Sequence, residues 1–181
     1  NSLLLSDDIS ITREFGITTG VFNLQNKNTI IKSDASATAS IAKFGSNGSV
    51  SYGGGTGNGR FIVERYIPAH SKAWQFLAVP VNKALDLAGQ TIFTGWQESG
   101  VLGTSLPNFG TIITNNVAGA GFDIIGGVGP SMKTYDTTGA GAWAGVPNTS
   151  GTELYNKKGY MLFVRGDRRN TTVSGTPNAT T

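Results

Sequence analysis

The chain has 181 residues, no cysteine, 14% charged residues and a net charge of +3 shared almost evenly between its halves. That length fits one domain, or one domain with a small extension, and can bury a core without disulfides or metal. The missing cysteines exclude thiol catalysis, zinc ribbons and iron–sulfur clusters, and the thin, even charge argues against a nucleic-acid face.

Glycine, at 26 residues, and abundant Thr, Ser and Asn stand where charged residues would be, while 38% hydrophobic content argues against disorder. This is the composition of an extracellular β-protein. No apolar run approaches the roughly 20 residues of a membrane helix. The sequence opens at Asn1 rather than Met and carries no signal peptide, as expected of a processed product or a segment of a longer chain.

Residues 1–50 alternate in short apolar bursts (3–5, 9–12, 21–24, 29–32 and 39–44) separated by Gly16, Gly20, Asn26, Asn28, Asp34 and Gly45. Bursts of this length at spacings near ten predict strands of a sandwich, a barrel or a solenoid. No exact period is present to establish a full solenoid. Residues 51–59, Ser-Tyr-Gly-Gly-Gly-Thr-Gly-Asn-Gly, predict a long hairpin loop or a hinge.

Two strands are predicted over 60–81. In the first, Phe61, Val63, Arg65 and Ile67 face one way and Ile62, Glu64 and Tyr66 the other. In the second, Trp74, Phe76 and Ala78 oppose Gln75, Leu77 and Val79, with Trp74 assigned to the core. Pro68 and Pro80 stand at strand ends, because proline removes a ladder donor. Residues 82–98 hold the best helical signal, in two short pieces over 83–88 and 91–98, the second with Ile92 and Trp96 at i, i+4. Further strands are predicted over 111–114, 122–125, 132–135 and 160–164, and a polar tail or edge strand over 170–181. The fold class is therefore all-β. An N-terminal β extension or solenoid-like set of strands covers 1–52. An antiparallel β-sandwich or jelly roll with at most two short helices covers 60–181.

Several phrases occur in a telling order. Val63-Glu-Arg-Tyr-Ile-Pro-Ala69 is followed by an aromatic strand closed by Pro80, then Trp96-Gln-Glu98, Gly110-Thr-Ile-Ile113 and Gly121-Phe-Asp123. Pro130-Ser-Met-Lys-Thr-Tyr135, Trp143 and Gly159-Tyr-Met-Leu-Phe-Val-Arg-Gly-Asp-Arg168 come after. The series is similar to a repeated module of large secreted surface proteins of the Bacteroidota, the cargo of type IX secretion. Thr19-Gly-Val-Phe-Asn-Leu-Gln-Asn-Lys-Asn-Thr-Ile30 resembles a coil of the solenoid-like stretches that precede that module. The resemblance implies an extracellular or cell-surface location and an architectural, adhesin-like role, with no chemistry attached.

No catalytic constellation is legible, and the chain is read as no enzyme. His70, the only histidine, follows Pro68 in a predicted turn, with no Gly-x-Ser-x-Gly elbow to supply a nucleophile. Arg165-Gly166-Asp167 spells an integrin-type tripeptide but is read as a solvated strand end. Gly139-Ala-Gly-Ala-Trp-Ala144 matches a dinucleotide fingerprint in letters only, since Gly145, Val146 and Pro147 replace the required helix. No cofactor is assigned; a structural calcium is left open, with no residue chosen among the scattered aspartates.

Two functional readings stay open. In the first, the chain is a structural or adhesive subunit that self-associates into filaments by strand exchange, with Leu3, Leu4, Leu5 and Val173 as contact candidates. In the second it is a carbohydrate-binding module, with Trp143 and Tyr135 as sugar-stacking candidates and glycans as partners.

Overall fold

A computed structural model describes residues 1–52, 59–68, 73–79, 90–97, 110–124, 128–154 and 159–165. The protein is all-β: these residues form twelve strands and one four-residue helix. They divide into two units, Asn1–Pro68 and Ala69–Thr181.

The first unit is a stack of parallel coils. The first coil supplies β1 (Ser2–Leu4), β2 (Ile9–Ile11) and β3 (Glu14–Phe15). The second supplies β4 (Thr19–Asn23), β5 (Thr29–Ile31) and β6 (Ser40–Ile41), and the third β7 (Asn47–Ser51) and β8 (Phe61–Val63). They pair as three parallel sheets, β1-β4-β7, β2-β5-β8 and β3-β6. In-register pairing lines up equivalent residues: Leu3 with Phe22 and Val50, and Ile11 with Ile31 and Val63. Phe22 and Ile31 are buried and Val63 packs on the same core, so these rungs point inward. Aligned residues lie 19 and 28 positions apart in the first rung, 20 and 32 in the second. Loops of unequal length between coils therefore erase any fixed period from the sequence.

Phe15 is the hub of this core. Its ring lies 5.0 Å from Phe22, 5.6 Å from Phe61 and 5.9 Å from Phe44, so it contacts residues of the second and third coils. Side chains also tie one coil to the next. The Asp8 carboxylate accepts from the Asn28 backbone N–H at 2.7 Å and from its Nδ2 at 3.0 Å. Glu64 accepts from Lys32 Nζ at 2.6 Å and from the Ser33 N–H at 3.1 Å. Asp34 caps its own turn by accepting from the Ser36 and Ala37 N–H groups. At Gly45 the chain passes so close to the Thr18 carbonyl that a Cβ would overlap it.

β8 belongs here, paired with β5, whereas the sequence pattern groups residues 60–68 with the second unit. The division between the units falls after Pro68. The parallel pairing of β5 with β8 differs from the antiparallel arrangement expected from residue 60 onward.

The second unit contains one antiparallel sheet, order β11-β10-β12-β9, built from β9 (Ala73–Ala78), β10 (Met132–Asp136), β11 (Ala142–Gly145) and β12 (Gly159–Val164). One face carries buried Met132, Tyr160, Leu162 and Val164, with Trp96 edge-on to Tyr160 at 5.3 Å. Helix α1 (Ile92–Gly95) starts at a reciprocal Thr91–Thr94 capping box and buries Ile92.

Among the described residues of the segments expected to be strands at 111–114 and 122–125 no strand forms, and Thr111, Thr114 and Asp123 stand in isolated bridges, Thr114 with Asp123. Side chains satisfy their backbone instead. Buried Asp123 accepts from the Ile113 N–H at 2.8 Å and from Gln97 Nε2 at 3.2 Å, and Ser131 Oγ accepts from the Thr114 N–H at 2.8 Å. Such side-chain partners compete with sheet ladders. Among the described residues no second sheet faces the first.

The packing and the carboxylates of the first unit can each be tested. Phe15→Ala should lower its unfolding free energy by about 3–5 kcal/mol, measured by urea denaturation, because it empties the point where four rings meet. Hydrogen bonds from Asn28 hold Asp8, and those from Ser36 hold Asp34, below the ordinary 3.8. The unfolded state then binds more protons than the folded state as pH falls through this range. The contribution is complete above 3.8 and should fade below it, as the folded carboxylates protonate. Asp8→Asn with Asp34→Asn should flatten that acid limb in a pH series of thermal melts.

Candidate functional site

Each unit presents one surface that folding leaves incomplete. In the coil stack it is the outer edge of the first coil. Leu3 shares an inward rung with Phe22 and Val50, yet it is 64% exposed, because β1 has a neighbour on one side only. Leu4 faces outward and is also exposed, while Leu5 turns into the core. Beside Leu3 opens a groove floored by Phe15, Ile17, Val21 and Phe22. Of the four contact candidates, Leu3 and Leu4 stand at this open edge, Leu5 is core, and Val173 lies outside the described residues.

In the second unit it is the outward face of the four-stranded sheet. Alternation along β9 sends Gln75 and Leu77 inward and Trp74 and Phe76 outward. Trp74, expected in the core, is therefore 40% exposed, and Phe76 is 72% exposed. The reason lies in β12: Tyr160, Leu162 and Val164 take the inner positions. Met161 and Phe163 fall opposite Phe76 and Trp74 on the outer face. Both faces of these two strands are apolar, so alternation alone does not say which one is covered.

Tyr135 and Trp143 meet on the same outer face as a cross-strand pair of β10 and β11. Their ring centroids are 5.3 Å apart at 67°, and Phe76 closes on Trp143 at 5.7 Å and 48°. Phe76 and Trp143 come from the two edge strands and lean toward each other over the middle pair. Gly141 holds φ +72 and lets the Tyr135 hydroxyl lie where a Cβ would stand.

Cations occupy the other end of the face. Lys133 Nζ stands 5.1 Å from the Trp74 ring centre, and the Arg165 guanidinium 4.8 Å from that of Phe163. Trp74 and Phe163 are themselves 5.3 Å apart, so the two cations flank one aromatic pair. Burial draws the Arg165 pKa below that of a free guanidinium, and the group stays charged. Neither cation makes an ion pair among the described residues, where the salt bridge present is Lys32–Glu64 in the first unit. Asp136 at the far end has its Oδ1 engaged by the Thr138 N–H and hydroxyl at 2.9 and 2.7 Å, which lowers its pKa.

Sequence pattern does not single out Phe76, Phe163, Lys133 or the outward Trp74 as site residues, and it marks Arg165 only within its tripeptide. Gly166 and Asp167 of that tripeptide, and His70, lie outside the described residues. A shallow hollow lined by Ala118, Gly119, Ala120, Pro147 and Asn148 contains no titratable side chain. Among the described residues no group of three or more His, Cys, Asp or Glu gathers that could hold a metal ion, and no helix is long and apolar enough to cross a membrane. The chain matches no protein-family profile, no curated protein and no solved structure.

The two faces of the sheet should separate cleanly under mutation. Leu162→Ala, on the buried face, should cost about 2–5 kcal/mol of stability. Phe76→Ser, on the open face, should shift it by roughly 0.5 kcal/mol or less, as surface substitutions do. Calorimetry on both variants checks the assignment, and equal losses would contradict it.

Proposed function

We propose that the chain is a structural and adhesive subunit of an extracellular surface assembly, in which copies join at the open edge of the coil stack. The observation that carries this reading is Leu3, a residue on a core-facing rung that is left 64% exposed on a strand paired along one side only. A parallel coil is completed by another coil in register, and an exposed strand edge is a template for addition. The Gly- and Thr-rich composition supports a location outside the cell. The similarity to secreted surface modules of the Bacteroidota supports the same location and export by the type IX route. In this reading the second unit is a β-sandwich-type module displayed by the stack.

The contact is an added edge rather than a donated β1. β1 is already seated on β4, and buried Leu5 anchors the chain just beyond it. Joining end to end in this way is heterologous and builds open filaments unless the rotation closes a ring.

Exposure of Trp143 and Tyr135 favours carbohydrate binding as the second reading. Their 67° interplanar angle offers no common plane for a sugar chain, which leaves self-association the better supported.

Leu3→Lys with Leu4→Lys tests the first reading, since charge on an edge strand blocks pairing. The expected result is a monomer with an unchanged circular dichroism spectrum, where the parent chain forms oligomers or filaments in sedimentation and negative stain. If parent and variant show the same assembly state, the reading fails.

A further inference from the structure

We infer that the outward face of the β11-β10-β12-β9 sheet is a docking surface for a partner protein that presents apolar side chains beside acidic ones. This goes beyond the assembly proposed above, because it concerns the second unit and a different occupant.

The chemistry of the face selects that occupant. Trp74, Phe76, Tyr135 and Trp143 are 40%, 72%, 50% and 37% exposed, and ring contacts join Phe76, Trp143 and Tyr135 into one cluster. Contiguous aromatic surface of this kind marks interaction sites, and Trp and Tyr dominate protein hot spots. Lys133 and Arg165 sit over the Trp74–Phe163 pair with no carboxylate partner among the described residues. Their donors point to acidic groups on the partner. The aromatic rings beneath hold the cations in place, so little side-chain freedom remains to be lost on binding.

Other occupants fit less well. Among its described residues the face carries no carboxylate, so a second copy of it would leave Lys133 and Arg165 without acidic partners. A sugar polymer needs coplanar rings and amide or carboxylate groups for its hydroxyls. The contacting rings here stand at 48–67°, and Asp136 Oδ1 is already engaged by Thr138. Phe76, the most exposed ring, has no polar group to offer.

The test uses the whole chain carrying Leu3→Lys and Leu4→Lys, compared with the parent, so that coil-edge assembly and face binding are read separately. Three probes are titrated by fluorescence anisotropy and calorimetry: a peptide alternating Leu and Glu, its Leu–Lys counterpart, and alginate as a polyuronate. The acidic peptide should bind and the basic one should not. Phe76→Ser should weaken binding about tenfold, as loss of an aromatic anchor does. Lys133→Gln with Arg165→Gln should weaken it by at least about tenfold and remove its salt dependence. Circular dichroism of each variant confirms that the sheet is intact. The inference is overturned if the acidic peptide does not bind, if the basic peptide binds equally, or if alginate binds in its place. It is also overturned if Phe76→Ser dissolves an oligomer, which would make the occupant a second copy.

Discussion

A pleated strand sends alternate side chains to opposite faces, and in-register pairing repeats that choice in every neighbour. Both units depend on this constraint. In the coil stack it aligns Leu3, Phe22 and Val50 on one rung, although their covering differs along it. Phe22 has both neighbours and is buried, whereas Leu3 has one and is exposed. Apolar side chains in the same orientation are core or surface according to their place in the stack.

The sheet of the second unit applies the constraint differently. β9 and β12 carry apolar residues on both faces, so alternation produces two apolar surfaces, and one unit has only one core to cover them. Tyr160, Leu162 and Val164 take it, with Trp96 against Tyr160. Their alternates Trp74, Phe76, Met161 and Phe163 are sent outward by geometry. Ring-to-ring contact and two stacked cations then reduce the water-exposed apolar area without removing it. Lys133 covers part of Trp74 and Arg165 part of Phe163, which keeps the surface compatible with water while it is unoccupied.

Much of this is legible in the residues, and the failures have physical causes. The all-β class, strands at 132–135 and 160–164, the alternation of Trp74 and Phe76 against Gln75 and Leu77, and the exposure of Trp143 can all be read from local pattern. The parallel coil pairing cannot, because loops of different length stand between aligned residues and hide the period. The strands expected at 111–114 and 122–125 look extended and apolar in sequence. Their ladder is replaced by long-range bonds from Asp123, Gln97 and Ser131, partners 10 to 26 residues distant. Trp74 defeats the sequence pattern for the most general reason. Choosing between two apolar faces requires knowing what lies across from each, which is a tertiary fact.

In the proposed assembly the division of the chain into two units would give the two surfaces separate tasks. A strand edge recognises backbone, which every copy offers alike, and so it suits repetition of one subunit. A face of tilted rings and fixed cations recognises side chains, and so it can distinguish one partner from another. The two also differ in their response to conditions. Edge pairing rests on main-chain hydrogen bonds and apolar rungs such as Leu3, while the face depends on Lys133 and Arg165 and should weaken as ionic strength rises. A surface assembly built from such subunits would keep its framework in high salt while releasing what it holds.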